Sequence, residues 1–302
     1  MSAQQVLFDI PGPKAKRRDV IYNVAFSAAI LALLAWIAWS AYGRGIFDDR
    51  WSVLWDPSRG QTAGDVWYSM LVTGLLLGTL KAVAIAVPVV LPLALVLTIM
   101  RVSPRWLPRW IGYIFTHVFR GIPVLLVMYF GVLALDLEPL WAVVLGLVVY
   151  NTAVVAEILR AGIAALPSGQ REAGLAIGLT PLQTMLRIQL PQAVRIMLPA
   201  LVSQIVVLLK DTSLGFIIAY VELLTVTKRN YNFFGEPTTV VFVLVAAAIY
   251  IPVNMLVSRL AHWLEGRMRR SKHVAERPAG ADDAGVTAAN RGVSASGNAG
   301  PV

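Results

Sequence analysis

The chain has 302 residues, 57% of them hydrophobic and only 14% charged, with a mean hydropathy of +0.68. Soluble domains carry about a quarter charged residues, so the composition excludes an ordinary soluble domain and points to an all-α polytopic membrane protein. The formal net charge of +9 comes from basic residues at the ends of apolar runs, not along one stripe, which argues for a lipid membrane and against a nucleic-acid partner.

Residues 1–19 hold Pro11-Gly12-Pro13 and the cluster Lys14, Lys16, Arg17 and Arg18, and are expected to form a cytoplasmic N-terminal segment. The apolar run from Ile21 to Tyr42 is too long for a signal-peptide core and lacks a small-residue cleavage site, so a retained first span is expected over 20–42. A crossing needs about twenty apolar residues. On that measure five more spans follow, at 66–100, 111–135, 139–159, 196–221 and 238–263, making six predicted spans. The second contains Pro88 and Pro92 and is expected to be kinked or tilted. The end of the fourth is blurred by Glu157 and Arg160.

Lysines and arginines orient this arrangement. With the N-terminus inside, the inner side receives the first cluster, then Arg101, Arg105 and Arg109, then Arg160, Arg171, Arg187 and Arg195, and finally Arg259, Arg267, Arg269, Arg270 and Lys272. The outer side receives only Arg44, Arg50, Arg59, Lys228 and Arg229. The excess predicts both termini cytoplasmic. Of the outer connections, Gly43 to Asp65 is a long loop carrying Asp48, Asp49, Trp51 and Trp55, whereas Asp136 to Pro139 is a tight turn. Trp106, Trp110 and Trp141 fall near span boundaries, where amphipathic rings anchor. The segment 266–302 is basic and then rich in Ala, Gly, Ser, Asn and Pro, and its end is expected to be disordered.

One polar, glycine-punctuated stretch interrupts the apolar chain between the fourth and fifth spans. It reads EAGLAIGLTPLQTMLRIQLP, from Glu172 to Pro191. Glu172-Ala173-Gly174 is expected to start a short helix that Gly178-Leu179-Thr180-Pro181 breaks, since glycine permits a left-handed turn and proline begins but does not continue a helix. A second piece, Leu182 to Leu190, is expected to stop at Pro191. The pair would present one apolar face suited to a partner's groove.

Enzymatic chemistry has no foothold. The chain has no cysteine, His117, His262 and His273 are scattered without metal-ligand spacing or a nearby nucleophile, and no phosphate-cradling G-x-x-x-x-G-K-[ST] loop is present. No catalytic or metal-binding residue and no bound cofactor is therefore expected. Ionisable groups within spans cost roughly 2.5–3.5 kcal/mol at a helix centre, so each needs a reason. Lys81, Arg120, Glu157 and Lys210 qualify, with Asp211 beside the last. Lys81 has the alternative of snorkelling, and Glu157 that of pairing with Arg160 one turn on. Arg120-Gly121-Ile122-Pro123 joins a charge to a helix break, which is tolerated at membrane depth only against a cavity or inside protein, and so marks a candidate pore wall.

The stretch from Glu172 to Pro191 resembles the EAA loop of the membrane subunits of ABC importers, with Glu172, Ala173, Gly178, Ile188, Leu190 and Pro191 at that loop's spacing and Gly174 where alanine is usual, a change expected to loosen the first helix. Arg120-Gly121-Ile122-Pro123 resembles the R-G-T-P segment of permeases for polar amino acids, with Ile122 replacing threonine. Ala156-Glu157-Ile158, Pro167-Ser168-Gly169-Gln170, Lys210-Asp211-Thr212-Ser213-Leu214 and Glu222-Leu223 extend the similarity across about residues 70–265. The resemblance implies a type I ABC importer transmembrane domain in the bacterial inner membrane, with a permease core at 66–265, a coupling loop at about 163–195, and an extra first span and outer loop at 20–65. It further implies a cytoplasmic ATP-binding subunit that uses ATP, a sibling permease subunit, identical or not, and an extracytoplasmic solute-binding protein. Glu172 to Pro191 would couple to the ATPase, and Lys81, Arg120, Glu157, Lys210 and Thr212 would line the substrate pathway. Intramembrane cations outnumber anions, which tilts the expected cargo towards an acidic, glutamate-like amino acid. The alternatives are a permease for a basic amino acid or an amine, a secondary transporter or channel, and a membrane anchor that only recruits a partner.

Overall fold

The computed structural model describes residues 12–43, 45, 48–57 and 59–270. Every regular element among them is helical: α1 (Pro13–Gly43), a 3-10 turn at Asp49–Leu54, α2 (Ala63–Val102), α3 (Trp106–Gly121), α4 (Val124–Leu133), α5 (Pro139–Ala164), α6 (Gly169–Ala176), α7 (Pro181–Ile218), α8 (Leu223–Phe234) and α9 (Thr239–Arg270). The segment up to residue 11 and the tail beyond residue 270, including Lys272 and His273, lie outside the described residues. The helix α1 already begins at Pro13, so the basic cluster expected in a separate segment forms its first turns.

Five helices among the described residues are long and apolar enough to cross a membrane. The third expected span, 111–135, is instead the pair α3 and α4, bent by 95°. Pro123 is the cause: its ring disfavours helical backbone at the residue before it, and Ile122 is accordingly extended at φ −90°, ψ 127°. Pro88 and Pro92 sit inside α2, which continues through them. Sequence reasoning missed the π-helical stretch Ser69–Leu80 at its start. The helix that carries the fourth span continues to Ala164, past 159, and the helix that carries the fifth already begins at Pro181, ahead of 196. Pro191 does not stop the chain's helix: π-helical Met185–Gln189 precedes it, and the wider turn makes room for the proline ring where a regular helix would clash one turn back.

Backbone contacts divide the chain into two units. One comprises Met1–Met70 with Thr227–Ala246, and the other Leu71–Val226 with Ala247–Val302. In the first, Thr62 and Asp65 form a reciprocal capping box at the start of α2, Trp67 Nε1 donates to the Leu54 carbonyl at 3.0 Å, and Arg59 donates to the Phe233 carbonyl. Asn230 Nδ2 donates to Ser69 Oγ at 3.0 Å, and the Phe234 and Phe242 rings stack. The loop outside the expected core is thus tied to the 227–238 segment within a single unit.

In the second unit, α2 packs most extensively on α5. Ala82, Ala86, Val90 and Ala94 recur every fourth residue and are buried, a small-residue ridge that lets helix backbones approach closely where water provides no driving force. Small residues serve likewise on α5: a Cβ on Gly146 would lie 2.5 Å from Met128 Cγ of α4, and one on Gly162 would lie 2.5 Å from Met197 Cγ of α7.

Candidate functional site

The stretch 169–191 folds as a closed hairpin between α6 and α7. The helix α6 ends in a Schellman closure, with Leu179 N–H donating to the Gly174 carbonyl at 3.1 Å and Gly178 N–H to the Leu175 carbonyl at 3.0 Å. Gly178 takes φ +83°, the left-handed conformation that closure requires. Thr180 then caps α7 reciprocally with Gln183, and Pro181 occupies its first turn. At the hairpin's base Gln192 Nε2 donates to Gln170 Oε1 at 3.1 Å.

Gly174 holds the two arms together. A Cβ there would lie 2.5 Å from Thr184 Cγ2, 2.9 Å from Thr184 Oγ1 and 3.1 Å from Ile188 Cδ1. Here the absent methyl allows a contact between the arms that alanine would block. Gly174→Ala should force the arms apart and cost about 1–2 kcal/mol locally. Accelerated amide hydrogen exchange across 172–190 in the purified variant checks this; unchanged protection would contradict it.

Glu172, Ala173 and Pro191 are exposed on this hairpin, and Ile188 and Leu190 are half-buried. Beside them Ile177, Leu182, Leu175 and Leu186 expose 75%, 51%, 39% and 36% of their surface. Together they form an exposed apolar patch on an otherwise polar loop. These four were not singled out from the sequence, where apolar residues within an otherwise polar loop were the available signal.

A second constellation centres on Glu157 of α5. Arg101, at the end of α2, donates to Glu157 Oε2 at 2.5 Å; Arg160 donates to both carboxylate oxygens at 2.7 and 3.1 Å; Arg120, at the end of α3, lies 3.9 Å from Oε1. The Arg101 side chain is 8% exposed and its guanidinium sits 5.6 Å from the Tyr113 ring centroid, a cation–π arrangement. Arg120 is 43% exposed and holds the carboxylate only loosely. Three guanidiniums share one carboxylate, leaving positive charge in excess, with Arg120 the member free to engage another anion. Arg101 was not among the expected pathway residues; its place at a span end hid its pairing with Glu157, which is 56 residues away in sequence.

The other expected pathway residues lie apart from this cluster. Lys81 and Lys210 are exposed and form no ion pair among the described residues. Thr212 is buried, with its hydroxyl donating to the Leu209 carbonyl at 2.7 Å and lying 3.3 Å from Tyr250 Oη. Beyond it a 3-10 segment, Thr212–Ile218, ends at Ala219 in left-handed conformation, and fully buried Glu222 accepts the Leu224 and Thr225 N–H groups at 2.9 and 2.8 Å, capping α8. Glu222 entered the sequence reading only as part of a resemblance; a carboxylate just before a helix was the signal for a cap. Among the described residues no group of acidic and histidine side chains is placed to hold a metal ion.

Residues 90–270 match the family described as the inner membrane component of binding-protein-dependent transport systems. The chain belongs to that family. This inner membrane component is therefore a multi-pass protein of the inner membrane. It is 40% identical over 167 residues to a glutamate transport system permease protein of Corynebacterium glutamicum, covering 53% of this chain and 60% of that relative, so the alignment spans under two thirds of the relative's length. A probable glutamine ABC transporter permease protein of Bacillus subtilis is 36% identical over 161 residues, covering 51% of this chain and 73% of its own. A glutamate/aspartate import permease protein of Escherichia coli is 33% identical over 168 residues, covering 51% and 73%. Among solved structures, an amino acid ABC transporter determined with histidines matches with a TM-score of 0.58 at 28% identity, covering 64% of this chain and 92% of that one. The fold of this inner membrane component is thus the all-α fold of type I ABC importer permeases.

Proposed function

We propose that the chain is the membrane-spanning permease subunit of an ATP-driven importer for polar amino acids, with acidic, glutamate-like ones as its cargo. The observation that carries this reading is the hairpin 169–191, a hydrogen-bonded closed element whose exposed Ile177, Leu182 and Glu172 offer an apolar and charged grip. A separate cytoplasmic ATP-binding subunit binds and hydrolyses ATP and seats on this hairpin, while this chain binds no cofactor and catalyses no reaction. A sibling permease subunit completes the pathway, and an extracytoplasmic solute-binding protein delivers the amino acid. Closure of the nucleotide-binding subunits pushes the hairpins together and switches the pathway between two rigid-body states, biased by nucleotide. The core responsible is 66–265, with the first span and loop at 20–65 added to it.

Charge supports the acidic cargo. The Arg101, Arg120 and Arg160 guanidiniums outnumber the single Glu157 carboxylate, and loosely held Arg120 stands at the helix break before Pro123. An incoming carboxylate takes Arg120 as a charge-assisted partner. The names of the glutamate and glutamate/aspartate relatives support the same cargo class, and that of the glutamine relative supports a polar amino acid. Lys81, Lys210 and Thr212 complete the proposed pathway.

Arg120→Ala should lower the apparent uptake rate for glutamate about tenfold or more while leaving ATPase docking intact. Unchanged rate and affinity would return Arg120 to a structural role. The reading as a whole is tested by reconstituting the chain with the subunits encoded beside it. ATP should drive uptake of glutamate in preference to arginine; uptake on an ion gradient without ATP would remove it.

A further inference from the structure

The pair α3 and α4 does not behave as one crossing. At 16 and 10 residues they are about 24 and 15 Å long, against a hydrocarbon core of about 30 Å. The helix α4 runs antiparallel along α5, with Gly131 against Ala142 and Gly146 against Met128. The helix α3 stands at 95° to α4 and so lies across the bundle direction. Its packing agrees: Gly112 meets Met100 and Arg101 at the end of α2, while Arg120, two turns on, reaches Glu157, the partner of that same Arg101.

The circumference of α3 is sorted by polarity at 100° per residue. Gly112 and Thr116 are buried against the protein, with Phe115 and Phe119 partly so. Next comes Arg109, followed by Tyr113, Trp106, His117 and Trp110, all exposed. On the far side Ile114, Leu107, Val118 and Ile111 are each about half exposed. Cation, amphipathic ring and aliphatic chain thus follow one another in the order of phosphate, interface and acyl chains at a membrane boundary. Arg105, just before the helix, and Arg109 are exposed and form no ion pair among the described residues.

We infer that α3 is an interfacial helix lying flat in the headgroup layer, with its aliphatic edge in the acyl chains and Arg105 and Arg109 binding the phosphate of an anionic phospholipid. The occupant is lipid and not a protein because the exposed surface changes polarity in steps around the helix, as a bilayer boundary does.

The cysteine-free sequence allows a direct test on the full chain in nanodiscs of mixed phosphatidylglycerol and phosphatidylcholine. Spin labels at Leu107→Cys, Ile111→Cys and Val118→Cys should report one shared, shallow depth from oxygen and nickel-chelate accessibility. A steady deepening of about 16 Å from 107 to 118 would make α3 a crossing segment and overturn the assignment. Retention of phosphatidylglycerol, read by native mass spectrometry, should fall about tenfold in the double variant Arg105→Gln/Arg109→Gln, and phosphatidylcholine should be unaffected. Equal retention by both proteins would overturn the lipid site. So would shielding of the three labels by an added ATP-binding subunit, which would assign this face to a protein.

Discussion

Glu172→Lys is expected to abolish coupled uptake, by more than tenfold, while the protein remains inserted and the ATP-binding subunit retains its basal hydrolysis. Glu172 lies in the first turn of α6, exposed, where its charge also favours the helix N-terminus. Docking that buries Glu172 against a cation makes loss of one side of that pair cost about 2–5 kcal/mol, and reversal adds repulsion. The hairpin itself should survive, because its closure rests on Gly174, Gly178 and the Thr180 cap and not on Glu172. Uptake in reconstituted vesicles alongside phosphate release checks both halves; normal uptake would count against the docking role.

Glu157→Gln should have the second large effect, and on stability as well as transport. The carboxylate is the shared acceptor of Arg101 and Arg160, and the Arg101 side chain is only 8% exposed. Neutralising it strands a buried guanidinium. Breaking a fully buried pair costs about 3–5 kcal/mol; with Glu157 22% exposed, a loss of about 2–3 kcal/mol is expected. The change should appear as a lowered midpoint of thermal unfolding in detergent. Adding Arg101→Met to Glu157→Gln should recover part of it, since the stranded charge is then gone. A single variant as stable as the parent would show that the cluster holds nothing together.

Five of the six expected spans were legible in the sequence because their apolar runs are long enough to cross, whereas 111–135 has the length and is instead a bent pair. The break at Pro123 was legible for a local reason, the restriction proline places on Ile122. Its 95° consequence was not, since local rules give the break but tertiary packing sets the angle. Pro191 failed as a stop signal because a preceding π-helical turn absorbs the clash, and widened turns leave no fixed sequence mark. At the hairpin, Gly178 and the Thr180-Pro181 cap were readable as local chemistry, whereas the role of Gly174 depends on Thr184 and Ile188, brought near by the fold. The partnership of Arg101 and Glu157 was hidden in the same way, with each residue at the end of a different helix and no spacing rule connecting them.

In the proposed importer the hairpin faces the cytoplasm and receives an ATP-binding subunit. Ile177→Cys would be the sole cysteine in the chain and sits at a position 75% exposed. A membrane-impermeant maleimide should label it in inside-out vesicles and not in right-side-out ones, and the bound ATP-binding subunit should suppress the reaction. Labelling from the outer face, or labelling indifferent to that subunit, would contradict the account.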